Sequence, residues 1–289
     1  MPGTLAIVGA GRVGRALGRA LRERGWRIGA VVTRSRATAR EAVRAIGGGT
    51  PFHTLTPRVL EADLVLISTP DDAVAPTAAR LAALGGLWRG KVVLHSSGAL
   101  SSAALRPLRR KGAAVGSFHP MQTFSGKRTP PLRGVICAME GDAAAVRVAR
   151  RIAKAIGGVP ARVALADKVA YHASGSYAAF LILAMIEAGT RILTAVGFPR
   201  RQALRTLSRM ARETIDNLEQ HGPQAAWTGP LGRRDYQTLA RHVRAMKRFP
   251  REYFEVYSAG ARLTVQMLAP HDHKLQRKLR RILRGNQQS

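Results

Sequence analysis

The chain has 289 residues, 46% hydrophobic and 22% charged, a globular balance that excludes intrinsic disorder over its length. A single cysteine, Cys137, excludes an intrachain disulfide framework and a cysteine-built zinc site, and is consistent with a reducing cytoplasm. Lysine and arginine number 47 against 17 acidic residues, a formal charge of +30 spread along the chain rather than gathered, apart from the run 274–281.

The first half alternates short apolar runs with helical patterns. A strand is expected over 5–8, then a helix over 12–24 with Val13, Leu17 and Leu21 at every fourth position. A strand over 28–32 and a helix over 37–46 follow, the latter stopped by Gly47, Gly48 and Gly49. The runs 64–68 and 91–95 are expected as strands, apolar over 64–67 and 92–94 as strands buried on both faces should be. Two more strands are expected over 114–117 and 134–138. Strands separated by helices imply βαβ units and an open, mostly parallel, doubly wound sheet.

Beyond Asp167 the alternation stops. The stretch 168–196 reads as one long helix, 199–220 as another with Pro199 at its first turn, and 235–247, 252–268 and 271–283 as three more. The expected architecture is an α/β domain over 1–163 and an all-helical domain over 164–289. The most apolar stretch, 178–186, is shorter than a bilayer span, and the chain opens directly on a strand, so no membrane partner and no secretory signal are expected.

The residues Gly9-Ala10-Gly11-Arg12-Val13-Gly14 form G-x-G-x-x-G between a strand and a helix, the context in which that pattern binds a dinucleotide. The first glycine makes the turn, the second lets the backbone approach a pyrophosphate, and the third lets helix pack on strand. An ordinary glycine turn is the alternative. The cofactor-selecting position after the second strand carries Thr33, Arg34, Ser35 and Arg36, with no carboxylate before Glu41. A carboxylate there would bind a ribose hydroxyl and repel a phosphate, whereas arginines bind a 2′-phosphate, so NADP (NADPH) is expected rather than NAD. Thr69, Pro70 and Asp71 follow another strand and are expected beside the cofactor, with helix capping an equal alternative for Asp71 and Asp72. Ser96 is expected beside the cofactor and Ser97 toward substrate, or either caps the next helix. His119, before Pro120, either donates to substrate or holds its loop. Lys168 and His172 lie four apart on a helix and are expected to point at one spot, as proton donors to a developing alkoxide. The small residues after them, Ala173 to Ala179, suggest close packing.

These motifs, together with His95-Ser96-Ser97-Gly98-Ala99-Leu100, Ser117-Phe118-His119-Pro120-Met121-Gln122, Lys168-Val169-Ala170-Tyr171-His172-Ala173 and Thr228 to Asp235, resemble a branch of Rossmann-like oxidoreductases with a helical C-terminal domain of unknown function. The branch is related to the β-hydroxyacid dehydrogenase and 6-phosphogluconate dehydrogenase superfamily. The resemblance covers nearly the whole chain. It implies a lysine donor at Lys168, a substrate-contacting serine at Ser97, and pairing of two chains through the helical domain. It also implies an asparagine four residues after the lysine, where His172 stands, and another near position 180, where Phe180 stands. Gly229, Arg233 and Asp235 are expected either to close the site or to form a structural turn.

The expected function is an NADP-dependent oxidoreductase that reduces a small anionic carbonyl or imine. The carbonyl would be of 2-oxo acid or semialdehyde type, ketopantoate being one example by analogy. A non-catalytic NADP-binding sensor is the alternative, motivated by Phe180. A nucleic-acid binder ranks lower, because aromatic residues are only 5% and none interleave a basic motif. No metal is expected.

Overall fold

A computed structural model describes residues 3–126 and 128–284. An eight-stranded sheet is built from β1 (Thr4–Val8), β2 (Arg27–Val32), β3 (Thr50–Phe52), β4 (Leu64–Ile67), β5 (Val92–His95), β6 (Ala114–Pro120), β7 (Ile136–Gly141) and β8 (Val159–Arg162). Its order is β3-β2-β1-β4-β5-β6-β7-β8. The strands are parallel except across β6 and β7, which pair antiparallel; β7 and β8 are again parallel. The helices of this part are α1 (Arg12–Arg22), α2 (Arg36–Ile46), α3 (Asp71–Ala83), α4 (Arg106–Arg110) and α5 (Ala143–Ala155).

Strand alternation divides the core in two. Leu5, Ile7, Leu64, Leu66 and Leu94 pack with Leu17, Leu21, Ile46 and Ile152 on one face. Ala6, Val8, Val65, Ile67 and Val93 pack with Val74, Leu81, Trp88 and Leu108 on the other. Both faces are covered, which is why the strands read as unbroken apolar runs. The sequence reading of a mostly parallel α/β sheet followed by a helical region is therefore what the structure shows.

Several boundaries differ. The strand expected over 114–117 runs on to Pro120, so His119 lies within β6 rather than in the loop after it. It does so because β7 extends the ladder, with His119 opposite Ala138 and Pro120 opposite Cys137. The strand expected over 134–138 starts at Ile136 and ends at Gly141. The single helix expected over 168–196 breaks at Ala179 (φ −111, ψ −98) into α6 (Lys168–Ala178) and α7 (Phe180–Ala195). The chain divides into two compact units there, Met1–Ala179 and Phe180–Ser289. Side chains at the start of α6 tie it to β6, so this helix belongs to the first unit rather than lying beyond a boundary at 163. Ala173 and Ser174 are exposed on this chain, not closely packed as expected.

The second unit contains α7, α8 (Arg200–Ala226), α9 (Gly229–Gly232), α10 (Tyr236–Met246), α11 (Arg251–Leu268) and α12 (His273–Arg284). The helix expected to stop at 220 continues past a kink at Gly222 (φ +78), before Pro223. Asp235 caps α10 by accepting from Thr238 N at 3.0 Å, which gives the 228–235 segment a structural role. In α12, Leu275, Leu279 and Leu283 are buried against Val243, Ala261 and Val265, leaving the intervening arginines and lysines outward. By contrast Phe180, Leu183, Met185, Phe198 and Met210 are exposed. The stretch Leu165–Ala195 is 31 residues with a window mean hydropathy of 1.6, long and apolar enough to cross a bilayer by length and composition, in contrast to the short stretch 178–186 expected.

Candidate active site

The glycine turn meets three separate demands. Gly9 has φ +84, and a Cβ there would lie 2.8 Å from Thr69 N, so both conformation and space require glycine. A Cβ on Gly14 would come 3.2 Å from Gly9 O and 3.3 Å from Ser68 Cβ, at the packing of α1 on the sheet. A Cβ on Gly11 would meet nothing nearer than Gly9 O at 3.9 Å, so this position faces open space into which a ligand can come close. The first intrahelical bond of α1 is Arg15 N to Gly11 O, 2.9 Å. The N–H groups of Arg12, Val13 and Gly14 thus have no acceptor within the helix, its first turn carries no acid, and its N-cap makes no side-chain bond. That end offers donors and partial positive charge to an anion.

After β2, Ser35 Oγ caps α2 by accepting from Thr38 N at 3.2 Å, and Thr33 Oγ1 donates to Ser35 O at 3.0 Å. These hydroxyls serve the turn. Arg34 and Arg36 are exposed, and neither pairs with an acid among the described residues. Glu41, the first carboxylate after β2, is instead bound to Arg15 at 2.6 Å, and this guanidinium holds its carboxyl below the usual range.

A cleft of about 380 Å³ opens where β1, β4, β5 and β6 end, lined by Gly11, Arg12, Val13, Thr69, Pro70, Asp71, Ser96, Ser97, Gly98, His119, Phe124 and His172 among others. Thr69 Oγ1 is buried with no hydrogen-bond partner, a position that polar groups occupy only when something else completes them. Ser96 Oγ donates to Ser68 Oγ at 3.0 Å. Ser97 Oγ donates to Asp71 Oδ2 at 2.9 Å and accepts from Ala99 N (3.2 Å) and Leu100 N (3.0 Å). That uses its one proton and both lone pairs. Ser97 therefore shapes the rim and ties down Asp71, the first residue of α3, rather than standing free for substrate.

His119 and His172 meet across this rim with ring centroids 5.4 Å apart. A Cβ on Gly98 would strike His172 Cδ2 and lie 3.0 Å from His119 Nε2, so glycine is what lets both rings approach the β5 loop. His119 Nδ1 lies 3.0 Å from Tyr171 Oη. Burial, then the neighbouring His172 and Lys168, pushes its pKa down to about 4, so the ring is neutral at neutral pH.

Lys168 does not share that spot with His172. It is only 2% exposed, and its Nζ donates to Ser117 Oγ at 2.8 Å and pairs with Glu140 Oε1 at 3.7 Å. Glu140 in turn accepts from Ser102 N (2.7 Å) and Ser102 Oγ (2.9 Å). Helical spacing of four puts two side chains on one face, but Lys168 begins α6 where the helix meets the sheet and turns inward. Burial lowers its pKa, opposed by Glu140. Behind the rim, fully buried His95 accepts from Ser97 N at Nδ1 (3.2 Å) and sits 3.2 Å from Ser101 O through Nε2.

The sequence names His95 and Tyr171 within motifs without giving either a role, and does not single out Glu140. Tyr171 carried a signal, three residues after Lys168 and next to His172 on the same helix. Glu140 carried none, because its partners are 28 and 38 residues away.

Residues 3–120 match the family model of a Rossmann-like domain, and residues 135–264 match a domain of unknown function, DUF2520. No curated protein matches the chain significantly. Among solved structures, it is similar to a Bacteroides fragilis protein, BF3122, provisionally named an NADP oxidoreductase, with 20% identity, a TM-score of 0.70, and coverage of 100% of this chain and 99% of that one. It is similar to the Thermotoga maritima protein TM1727, with 23% identity, a TM-score of 0.68, and coverage of 96% and 99%. A reductive aminase from Aspergillus terreus, in complex with NADPH and ethyl-5-oxohexanoate, shares 15% identity, a TM-score of 0.60, and coverage of 99% and 95%. At these identities the likeness is one of fold. The two family models match successive stretches of the chain, the Rossmann-like model first and the DUF2520 model after it.

Proposed function

We propose that the chain is an NADP(H)-dependent oxidoreductase that interconverts a small anionic carbonyl or imine compound and its reduced form. The observation that carries this reading is the cleft itself: a glycine turn with open helix N–H groups, an orphaned buried hydroxyl on Thr69, and a neutral histidine facing them across the rim. Arg12, Val13 and Gly14 would hold the diphosphate through backbone N–H groups, and Arg34 and Arg36 would clamp a 2′-phosphate. Thr69 would gain the partner it lacks. The bound nicotinamide supplies hydride exchange with the substrate carbon. His119 and His172 exchange the proton at the substrate oxygen or nitrogen, and Ser97 and Asp71 keep that rim rigid. The formal charge of +30 favours an anionic substrate. The names of similar structures, which include an NADP oxidoreductase and a reductive aminase with NADPH, support the cofactor and the reaction class.

Titration with NADPH and NADH, read by thermal shift, tests this. Ligand at a hundred times Kd stabilises the folded chain by about 2.7 kcal/mol. NADPH is expected to raise Tm clearly and NADH little, and Arg34→Ala with Arg36→Ala should erase the difference. No shift with either nucleotide would remove the reading.

The exposed apolar side chains of α7 and α8 support pairing of two chains through these helices. Sedimentation at micromolar concentration is expected to give twice the chain mass, and a monomer there would end the idea.

A further inference from the structure

Tyr171 touches His119 twice. Its Oη lies 3.0 Å from the ring Nδ1 and 3.3 Å from the backbone oxygen of the same residue. A carbonyl oxygen can only accept, and a phenol has one proton. When that proton goes to the carbonyl, Oη has only lone pairs left for Nδ1, and Nδ1 must donate. The backbone oxygen cannot move away, because His119 is held in β6 opposite Ala138 of β7. We propose that Tyr171 is a positioning residue that holds neutral His119 in its Nδ1–H form and leaves Nε2 as a bare proton acceptor facing the cleft. The geometry stands by itself; its use in catalysis rests on the oxidoreductase reading above.

Nε2 faces the gap at Gly98, where a Cβ would lie 3.0 Å from it. An unprotonated nitrogen there accepts a hydrogen bond from a hydroxyl or an amine and repels the lone pairs of a carbonyl. The cleft is thereby matched to the reduced partner of the reaction, a secondary alcohol or amine. On oxidation the O–H or N–H bond breaks and its proton passes to Nε2. An oxidised nicotinamide held in the cleft would accept the carbon-bound hydrogen with its electron pair as C=O or C=N forms. Besides Tyr171, the titratable neighbours of His119 are Asp71, His95, Lys168 and His172, and burial keeps the ring from holding a second proton at neutral pH.

The test is nitrogen NMR of the full chain labelled with ¹⁵N-histidine at neutral pH. The His119 ring signals are identified by their loss in His119→Gln. The wild-type ring is expected to show a protonated Nδ1 and an imine-type Nε2, and Tyr171→Phe is expected to move the proton to Nε2. A wild-type ring protonated on Nε2 overturns the proposal even if the variant fails to fold. So does a Tyr171→Phe ring still protonated on Nδ1. The spectrum needs neither substrate nor nucleotide, so a failed NADPH titration would strike the oxidoreductase reading and leave the tautomer standing.

Discussion

Glu140→Ala is expected to destabilise the first unit by about 3–5 kcal/mol, the cost of stranding one member of a buried ion pair. The variant leaves the Lys168 ammonium, 2% exposed, with Ser117 Oγ as its hydrogen-bond acceptor, and takes from Ser102 the acceptor of both its N–H and its hydroxyl. Lysine has an escape, which is to lose its proton. Its folded pKa is already lowered by burial, with Glu140 pulling the other way, so removing Glu140 lowers it further. A group whose folded pKa lies below its unfolded one costs most at pH below the folded value and recovers as pH rises toward the unfolded value. The loss should therefore be larger at pH 6 than at pH 9. Urea midpoints at the two values measure it. A loss under about 1 kcal/mol at pH 6, or one independent of pH, would show that the pair is not coupled as described.

Acid should weaken the fold through His95. This ring is fully buried, and burial followed by Lys168 lowers its pKa from 6.5 to about 4. Its network has no room for a second proton, since Nδ1 accepts from Ser97 N while Nε2 faces Ser101 O. Between 6.5 and about 4 the unfolded chain holds a proton that the folded chain does not. Stability therefore falls as pH falls through that window, by on the order of 3 kcal/mol from this residue. His119, also lowered to about 4, acts in the same direction over the same window. In His95→Gln the slope of unfolding free energy against pH should drop by about one proton near pH 5. An unchanged slope would mean that His95 titrates normally in the folded chain.

The strands were legible where physical chemistry leaves a one-dimensional trace. Leu64 to Ile67 and Val92 to Leu94 read as strands because burial on both faces favours apolar residues, and Gly9 to Gly14 read as a turn because each glycine answers a local demand. The short strands β3 and β8 left no such trace: Thr50–Phe52 has no buried residue, and Val159–Arg162 is at best half-buried. The site was legible as a set of loops but not as a set of roles. His119, Ser97 and His172 do come to one cleft, because parallel strands end on one rim. Ser97 spends its hydroxyl on Asp71, and Lys168 turns toward Glu140, because each finds a partner distant in sequence. Asp71 stands 26 residues before Ser97, and Glu140 is in place only once β7 has reversed against β6; an antiparallel strand in an otherwise parallel run announces itself by no local pattern.

The sheet order has a consequence for how the chain is made. β1 precedes the other strands of the sheet in the chain, yet it lies inside the sheet, with β2 on one edge and β4 on the other. Its five residues end buried on both sides. β2 follows after a single helix and covers one edge early. The other edge waits for Leu64–Ile67, roughly 60 residues later, which at 5–20 residues per second is about 3–12 s of translation. For that interval the nascent chain carries an apolar strand with one edge of unpaired N–H and C=O groups, in a strongly cationic polypeptide. Like charge is then the means at hand for keeping two such half-made sheets apart on neighbouring ribosomes.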